Sequence, residues 1–248
     1  MQEKKDKLES ISAWYNSPEC PLKSPDSVWS NLAFYRYKTF RQFFTGESIL
    51  ELGFANGVIT KYICEEGFFK RMVGVDGAKK FVNEIKKKFS FYGYEAVYSL
   101  FEDYETDEKF DFILASHILE HLKNRVEFLS KYANLLKNKK SRFLIMVPNA
   151  NSIHRQIGVK LGLLKHTEEL NSLDVTVDHQ TVYTKKTLIK DARKAGLKVI
   201  KSGGIFLKPL SSKQIEDCFN KPLLNAFFEL GADYPEISAE IFVVCAKL

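Results

Sequence analysis

Between about residues 48 and 147 the apolar positions alternate between two rhythms. Short, nearly unbroken runs occupy Ser48 to Leu52, Arg71 to Val75, Tyr94 to Leu100, Phe110 to Ala115 and Arg142 to Val147, each bounded by Gly, Pro or charge. Such runs predict strands buried on both faces. Between them the spacing lengthens to three and four. Phe81, Val82, Ile85 and Phe89 share one helical face, and Leu122, Val126, Leu129, Ala133 and Leu136 form an apolar stripe. Strands alternating with helices predict an α/β fold with a doubly wound, parallel sheet covered on both sides.

After Pro148 the rhythm breaks. Residues 149–183 are polar and irregular, and 203–239 form a second excursion carrying Pro209, Pro222 and Pro235. Between them Thr184 to Ala195 predicts a helix, with Thr184 as N-cap and Gly196 as its stop. Leu197 to Ser202 and Glu240 to Ala246 predict two more strands. The chain therefore divides as a single domain: an N-terminal helical cap (1–45), a ligand-binding core (46–148), and excursions 149–183 and 203–239 acting as a lid. Long loops at the carboxyl ends of sheet strands are where such folds build pockets.

Composition narrows this little. The 248 residues are 45% hydrophobic and 27% charged, ordinary for a globular protein. No apolar run approaches the ~20 residues of a membrane span, and the charged start lacks the apolar stretch of a secretory leader. Four scattered cysteines suit a reducing, cytoplasmic setting and predict neither zinc site nor disulfides. The net charge of +6 comes from dispersed lysines, which argues against a nucleic-acid-binding face.

The informative segment is Glu51-Leu52-Gly53-Phe54-Ala55-Asn56-Gly57. A strand ending in small residues before a helix lets backbone amides approach a ligand. A dinucleotide cradle would read GxGxxG; here Ala55 and Val58 occupy the second and third glycine positions, so pyrophosphate is poorly served. An acid before the first glycine suits a ligand carrying an ammonium group. Further on, Val73-Gly74-Val75-Asp76-Gly77 ends a strand with a carboxylate able to accept both hydroxyls of a ribose. Phe101-Glu102-Asp103-Tyr104 then offers an acid for an exocyclic amine beside aromatic rings. The spacing predicts that Glu51, Asp76 and Asp103 converge on one crevice.

These motifs resemble the class I, Rossmann-like methyltransferases that use S-adenosylmethionine: ELGFANG resembles their E/DxGxGxG loop, GVDG the ribose acid, and FEDY the adenine acid. FDFILASHILEHL resembles their fourth-strand segment, and GLKVIKSG and EIFVVCAK their sixth and seventh strands. The resemblance covers about residues 30–205 and the tail, and it is to small-molecule enzymes of sugar, polysaccharide and ubiquinone pathways. It implies a seven-stranded sheet with an antiparallel last strand, and S-adenosylmethionine as methyl donor with S-adenosylhomocysteine as product. The implied cofactor residues are Tyr15, Arg36, Glu51, Gly53, Phe54, Ala55, Asn56, Gly57, Asp76, Gly77, Glu102, Asp103, Tyr104, Ser116 and His117.

Histidine is the side chain best placed to move a proton near neutral pH. His117, after the fourth strand, and His154 and His179, flanking the irregular excursion, are the catalytic candidates, whereas His121 in LEH reads as structural. Polyprenyl-dihydroxybenzoate O-methyltransferases carry acids and a metal near this point; Glu120 and His121 alone make a thin metal site, so the reading is metal-independent. Arg155, Lys160, Lys165 and Lys208 could receive a phosphorylated acceptor. The predicted activity is O-methylation of a small polar, phosphorylated, nucleotide-linked or sugar-type acceptor, by a monomer or homodimer. Its alternatives are a methyltransferase acting on RNA or a quinone, and a non-catalytic partner subunit that only binds the donor. No Asn/Asp-Pro-Pro-Tyr block follows the fourth strand, where the chain reads Ala115-Ser116-His117-Ile118; this argues against the N-methyltransferase type acting on DNA or protein glutamine.

Overall fold

The apolar runs become strands because both their faces are covered. In β1 (Ser48–Leu52) Ile49, Leu50 and Leu52 are wholly buried, and β2 (Arg71–Asp76), β4 (Phe112–Ser116) and β5 (Arg142–Pro148) are as apolar. The structure is a computed structural model describing residues 2–15, 17, 20, 24 and 27–248, the side chains of 2–4 excepted. With β3 (Tyr94–Tyr98), β6 (Leu197–Ile205) and β7 (Glu240–Lys247), the strands form one sheet in the order β3-β2-β1-β4-β5-β7-β6. Only β7 runs against its neighbours, between β5 and β6. The fold is the expected doubly wound one.

Helices cover both faces. On one side lie α2 (Val28–Phe43), α3 (Val58–Glu66) and α4 (Lys79–Phe89), which buries Phe81, Val82, Ile85 and Phe89 and leaves its lysines to water. On the other lie α5 (Arg125–Ala133) and α8 (Lys185–Lys194), the latter capped by Thr184, whose side chain accepts from the Thr187 amide. α1 (Gln2–Tyr15) crosses near α4. The stripe from Leu122 to Leu136 overstates α5. Leu122 closes a 3₁₀ turn over Leu119–His121, and Phe110 pairs with the segment around Leu136 instead of extending β4.

Register sets the functional edge. Leu52 is level with Val75 on one side and Ala115 on the other, so Gly53, Asp76 and Ser116 emerge together. Antiparallel pairing of Glu240 with Pro148 brings the start of β7 to the same edge.

The two excursions differ. Residues 149–183 carry α6 (Ile153–Lys160) and α7 (Ser172–Thr176) and are closed at the base by an Asn149–Tyr183 bridge. Arg155 is buried inside, donating to the Thr167 and Glu169 carbonyls and to Asp174. It braces the lid, so it is not free for an acceptor phosphate. Residues 203–239 instead form α9 (Ser212–Cys218) and α10 (Lys221–Asp233), packed against α2, where Tyr35 stacks on Phe206 and Phe228. None of them lines the cavity described next.

Candidate active site

A cavity opens where β1, β2 and β4 end, roofed by Leu8, Ile11 and Tyr15 of α1. Its floor is the loop 53–56. Gly53 has φ +70, and a Cβ there would lie 2.1 Å from Ile118 Cδ1, so glycine fits this turn. Ala55 follows at φ +46, a left-handed conformation held by a side chain that disfavours it. The loop is braced from β2: Asp76 accepts from the Ala55 amide at 3.1 Å and the Ala78 amide at 2.9 Å. Burial pushes Asp76 up to about 6 despite these amides. A carboxylate has about four lone-pair sites, so capacity for a ligand remains.

Glu51 also lines the cavity but is anchored behind it. Its Oε2 accepts from Thr60 Oγ1 at 2.8 Å and Tyr94 Oη at 3.0 Å. The Tyr94 hydroxyl reaches it by passing over Gly74, where a Cβ would sit 1.6 Å away. Burial pushes Glu51 up to about 7. Two buried carboxylates therefore face one cavity, each made costly as an anion by desolvation. A cationic ligand would relieve both.

At the β4 edge His117 has φ +59, fixed by its amide donating to the Met146 carbonyl at 2.9 Å. This turns the imidazole between two acids, Nδ1 3.1 Å from Glu120 and Nε2 3.1 Å from Glu240. Glu240 also takes a two-pronged contact from Arg36. Burial and the Arg36 charge oppose protonation of His117, but Glu240 and Glu120 outweigh them and raise its pKa. The two acids thus favour its protonated form and work against a role as proton acceptor.

The family model described as a methyltransferase domain matches residues 29–202. The chain belongs to that methyltransferase family. No curated protein matches the chain. Among solved structures, a SAM-dependent methyltransferase from Archaeoglobus fulgidus is 20% identical, with TM-score 0.58 over 88% of this chain and 94% of that one. The N-methyltransferase NodS from Bradyrhizobium japonicum, in complex with S-adenosylhomocysteine, is 11% identical, with TM-score 0.62 over 97% and 98%. A chain from the complex of the Haloferax volcanii Trm112 methyltransferase activator with a methyltransferase is 13% identical, with TM-score 0.66 over 96% of each. These likenesses are of fold.

In this methyltransferase, Tyr15, Arg36, Glu51, Gly53, Phe54, Ala55, Asn56, Asp76, Gly77, Ser116 and His117 all line the cavity. Gly57 does not; it is the left-handed N-cap of α3, at φ +76. Glu102 and Asp103 are exposed and Tyr104 is in the core, all three outside the cavity lining. The convergence of three strand-end acids thus reduces to two, because β3 ends at Tyr98, five residues before Asp103. Leu100 and Phe101 reach the cavity in their place, giving an apolar slot with Ile118 and Leu122.

The other candidate histidines lie elsewhere. His154 is outside the lining, and burial pushes it down to about 3, so it is neutral and remote. His179 is outside too, but its ring packs on His121, which does line the cavity, with centroids 4.8 Å apart. Sequence reasoning missed Glu240. Only its antiparallel pairing with β5 brings this acid, remote in the chain, to His117.

Proposed function

We propose that this methyltransferase transfers the methyl group of S-adenosylmethionine to a hydroxyl of a small, polar, sugar-type acceptor. The observation that carries the reading is the pairing of Asp76 and Glu51, both desolvated, with an apolar slot beside a glycine loop. That set suits a cationic nucleoside: Asp76 for the ribose, Leu100, Phe101, Ile118 and Leu122 for the base, and the backbone of 53–56 for close approach. When bound, the methyl donor would supply an electrophilic sulfonium methyl to the acceptor oxygen, with S-adenosylhomocysteine as leaving group and the hydroxyl proton passing to water.

The protein's own task is alignment and exclusion of water. Tyr15 and α1 cover the cavity, and Lys7 ties α1 to Asp178 of the lid at 2.6 Å. The acceptor end is built from Ser116, His117, His121 and Asp178. The cations at the cavity, Lys7 and Arg36, are both paired with acids. Of the four basic residues proposed for a phosphate, Arg155 is used internally, Lys160 and Lys165 are exposed, and Lys208 donates to Ser212. This supports a hydroxylated acceptor over a phosphorylated one.

The test is calorimetric titration with S-adenosylmethionine and S-adenosylhomocysteine. Both bind, and Asp76→Ala weakens both at least tenfold while its thermal melt stays cooperative. Absence of binding by either, or unchanged affinity in Asp76→Ala, overturns the reading.

A further inference from the structure

Three side chains from two segments meet beside the acceptor end of the cavity. Glu120 and His121 come from the 3₁₀ turn after β4, and His179 from the returning limb of the lid. Each offers one ligand atom, and the three atoms lie within 4.8 Å of one another. Glu120 is 0% exposed, yet neither carboxylate oxygen receives a directed hydrogen bond. His117 Nδ1, at 3.1 Å, is its one close polar side chain among the ion pairs of the described residues. Acids this deep are rare unless hydrogen-bonded or bound to a metal.

Both histidines are steered from behind. His179 Nδ1 is 2.7 Å from Asp174 Oδ1, which leaves Nε2 for the cluster. Asp174 is itself fixed by Arg155 at 3.1 Å and the Asn171 amide at 2.9 Å. His121 has the backbone of Asp178 beside its ring. A carboxylate or carbonyl behind each imidazole is the support that orients metal-binding histidines and fixes their tautomer. The buried Arg155 acquires a purpose here, as the anchor of the acid that aims His179.

We propose that Glu120, His121 and His179 bind one divalent transition-metal cation at the edge of the methyl-transfer cavity. Two imidazoles and one carboxylate suit Mn²⁺, Fe²⁺, Co²⁺ or Zn²⁺ better than Mg²⁺ or Ca²⁺. Three protein ligands leave coordination positions open. Of the three ligands His121 lines the cavity, as does the neighbouring Asp178, so the cluster borders the acceptor space. A hydroxyl-bearing acceptor would take up the open positions, and the cation's charge would favour release of the hydroxyl proton to water. Only this last use rests on the methyltransferase reading; the cation site itself does not.

The experiment is Mn²⁺ titration of the chelator-treated full chain, followed by calorimetry and by loss of the free-ion EPR signal. One ion binds per chain. Affinity falls at least tenfold in His179→Ala and in the isosteric Glu120→Gln, but not in His166→Ala, an exposed histidine outside the cluster. Asp174→Asn, which touches no ion, weakens binding by about 10–100-fold, as loss of outer-shell support does. No stoichiometric binding, or binding equally strong in His179→Ala and Glu120→Gln, overturns the proposal. S-adenosylmethionine titration of the same samples separates the two readings. Donor binding without Mn²⁺ binding sinks the cation site alone; Mn²⁺ binding without donor binding sinks the donor assignment alone.

Discussion

Arg36 grips both carboxylate oxygens of Glu240, joining α2 to the first residue of β7 across 204 positions of the chain. The side chains are 14% and 5% exposed, so neither charge has water to fall back on. Removing one partner strands the other: Glu240→Gln should cost about 3–5 kcal/mol in urea unfolding. Arg36→Met combined with Glu240→Leu should cost less than the sum of the single changes. Burial would raise the Glu240 pKa, but Arg36 and His117 outweigh it and hold it well below the carboxylate range. Its contribution is therefore full above the unfolded value near 4.5 and lost as pH falls below it. Wild type should lose stability on acidification more steeply than Glu240→Gln; equal slopes would contradict this.

Glu51 titrates in the opposite sense. Its folded pKa is raised from 4.5 to about 7, by burial first and against the Thr60 and Tyr94 hydrogen bonds. Its contribution is thus full below about pH 4.5 and disappears as pH rises through 7. Glu51→Gln keeps shape and hydrogen-bond acceptor but not the proton. The fall in stability of the ligand-free protein between pH 5 and 8 should be smaller in this variant, read from denaturation midpoints. An unchanged pH profile would show that Glu51 ionises normally.

Gly74 and Tyr94 should be coupled. A Cβ at 74 meets the Tyr94 hydroxyl and ring, and Phe54 at 2.7 Å, so Gly74→Ala overpacks a rigid contact. The expected loss is about 1–3 kcal/mol, with weaker donor binding as Glu51 loses its anchor. Tyr94→Phe on that background should recover part of the stability but not the binding. A double-mutant cycle on unfolding midpoints decides it.

Ala55 sits where glycine is at ease. Ala55→Gly should be neutral or gain up to about 1 kcal/mol, because relief of the left-handed strain offsets the added chain entropy. Ala55→Val, β-branched at the same φ, should destabilise by more than 1 kcal/mol and weaken S-adenosylmethionine binding. Thermal melts with and without the methyl donor would show both.

The strands were legible because each is a buried apolar run, and α8 because Thr184 and Gly196 mark its ends. Boundaries slipped where tertiary pairing overrode periodicity: Phe110 left β4 for Leu136, and Leu122 was taken by a 3₁₀ turn. In the site, residues directly after β1, β2 and β4 could be found because strand order and register place them automatically. Asp103 could not, since its distance from the end of β3 is set by loop geometry. Glu240 was beyond local reading for the same reason, and His179, picked out from the sequence, could not be given its neighbours. Their relation to His117 and Glu120 exists only once β7 has paired and the lid has folded around Arg155.

The position of β7 orders events in time. It follows β6 in the chain yet lies between β5 and β6, so the sheet cannot zip up in the sequence in which it is synthesised. β1, β2 and β4 can assemble the loop 53–56 and the Asp76 edge from nearby segments. Glu240 reaches His117 and Arg36 only when β7 inserts, a non-local step of the slow kind. The buried cluster of Arg36, His117 and Glu240 is thus closed by the last strand of the chain, and not by the segments that carry the loop 53–56.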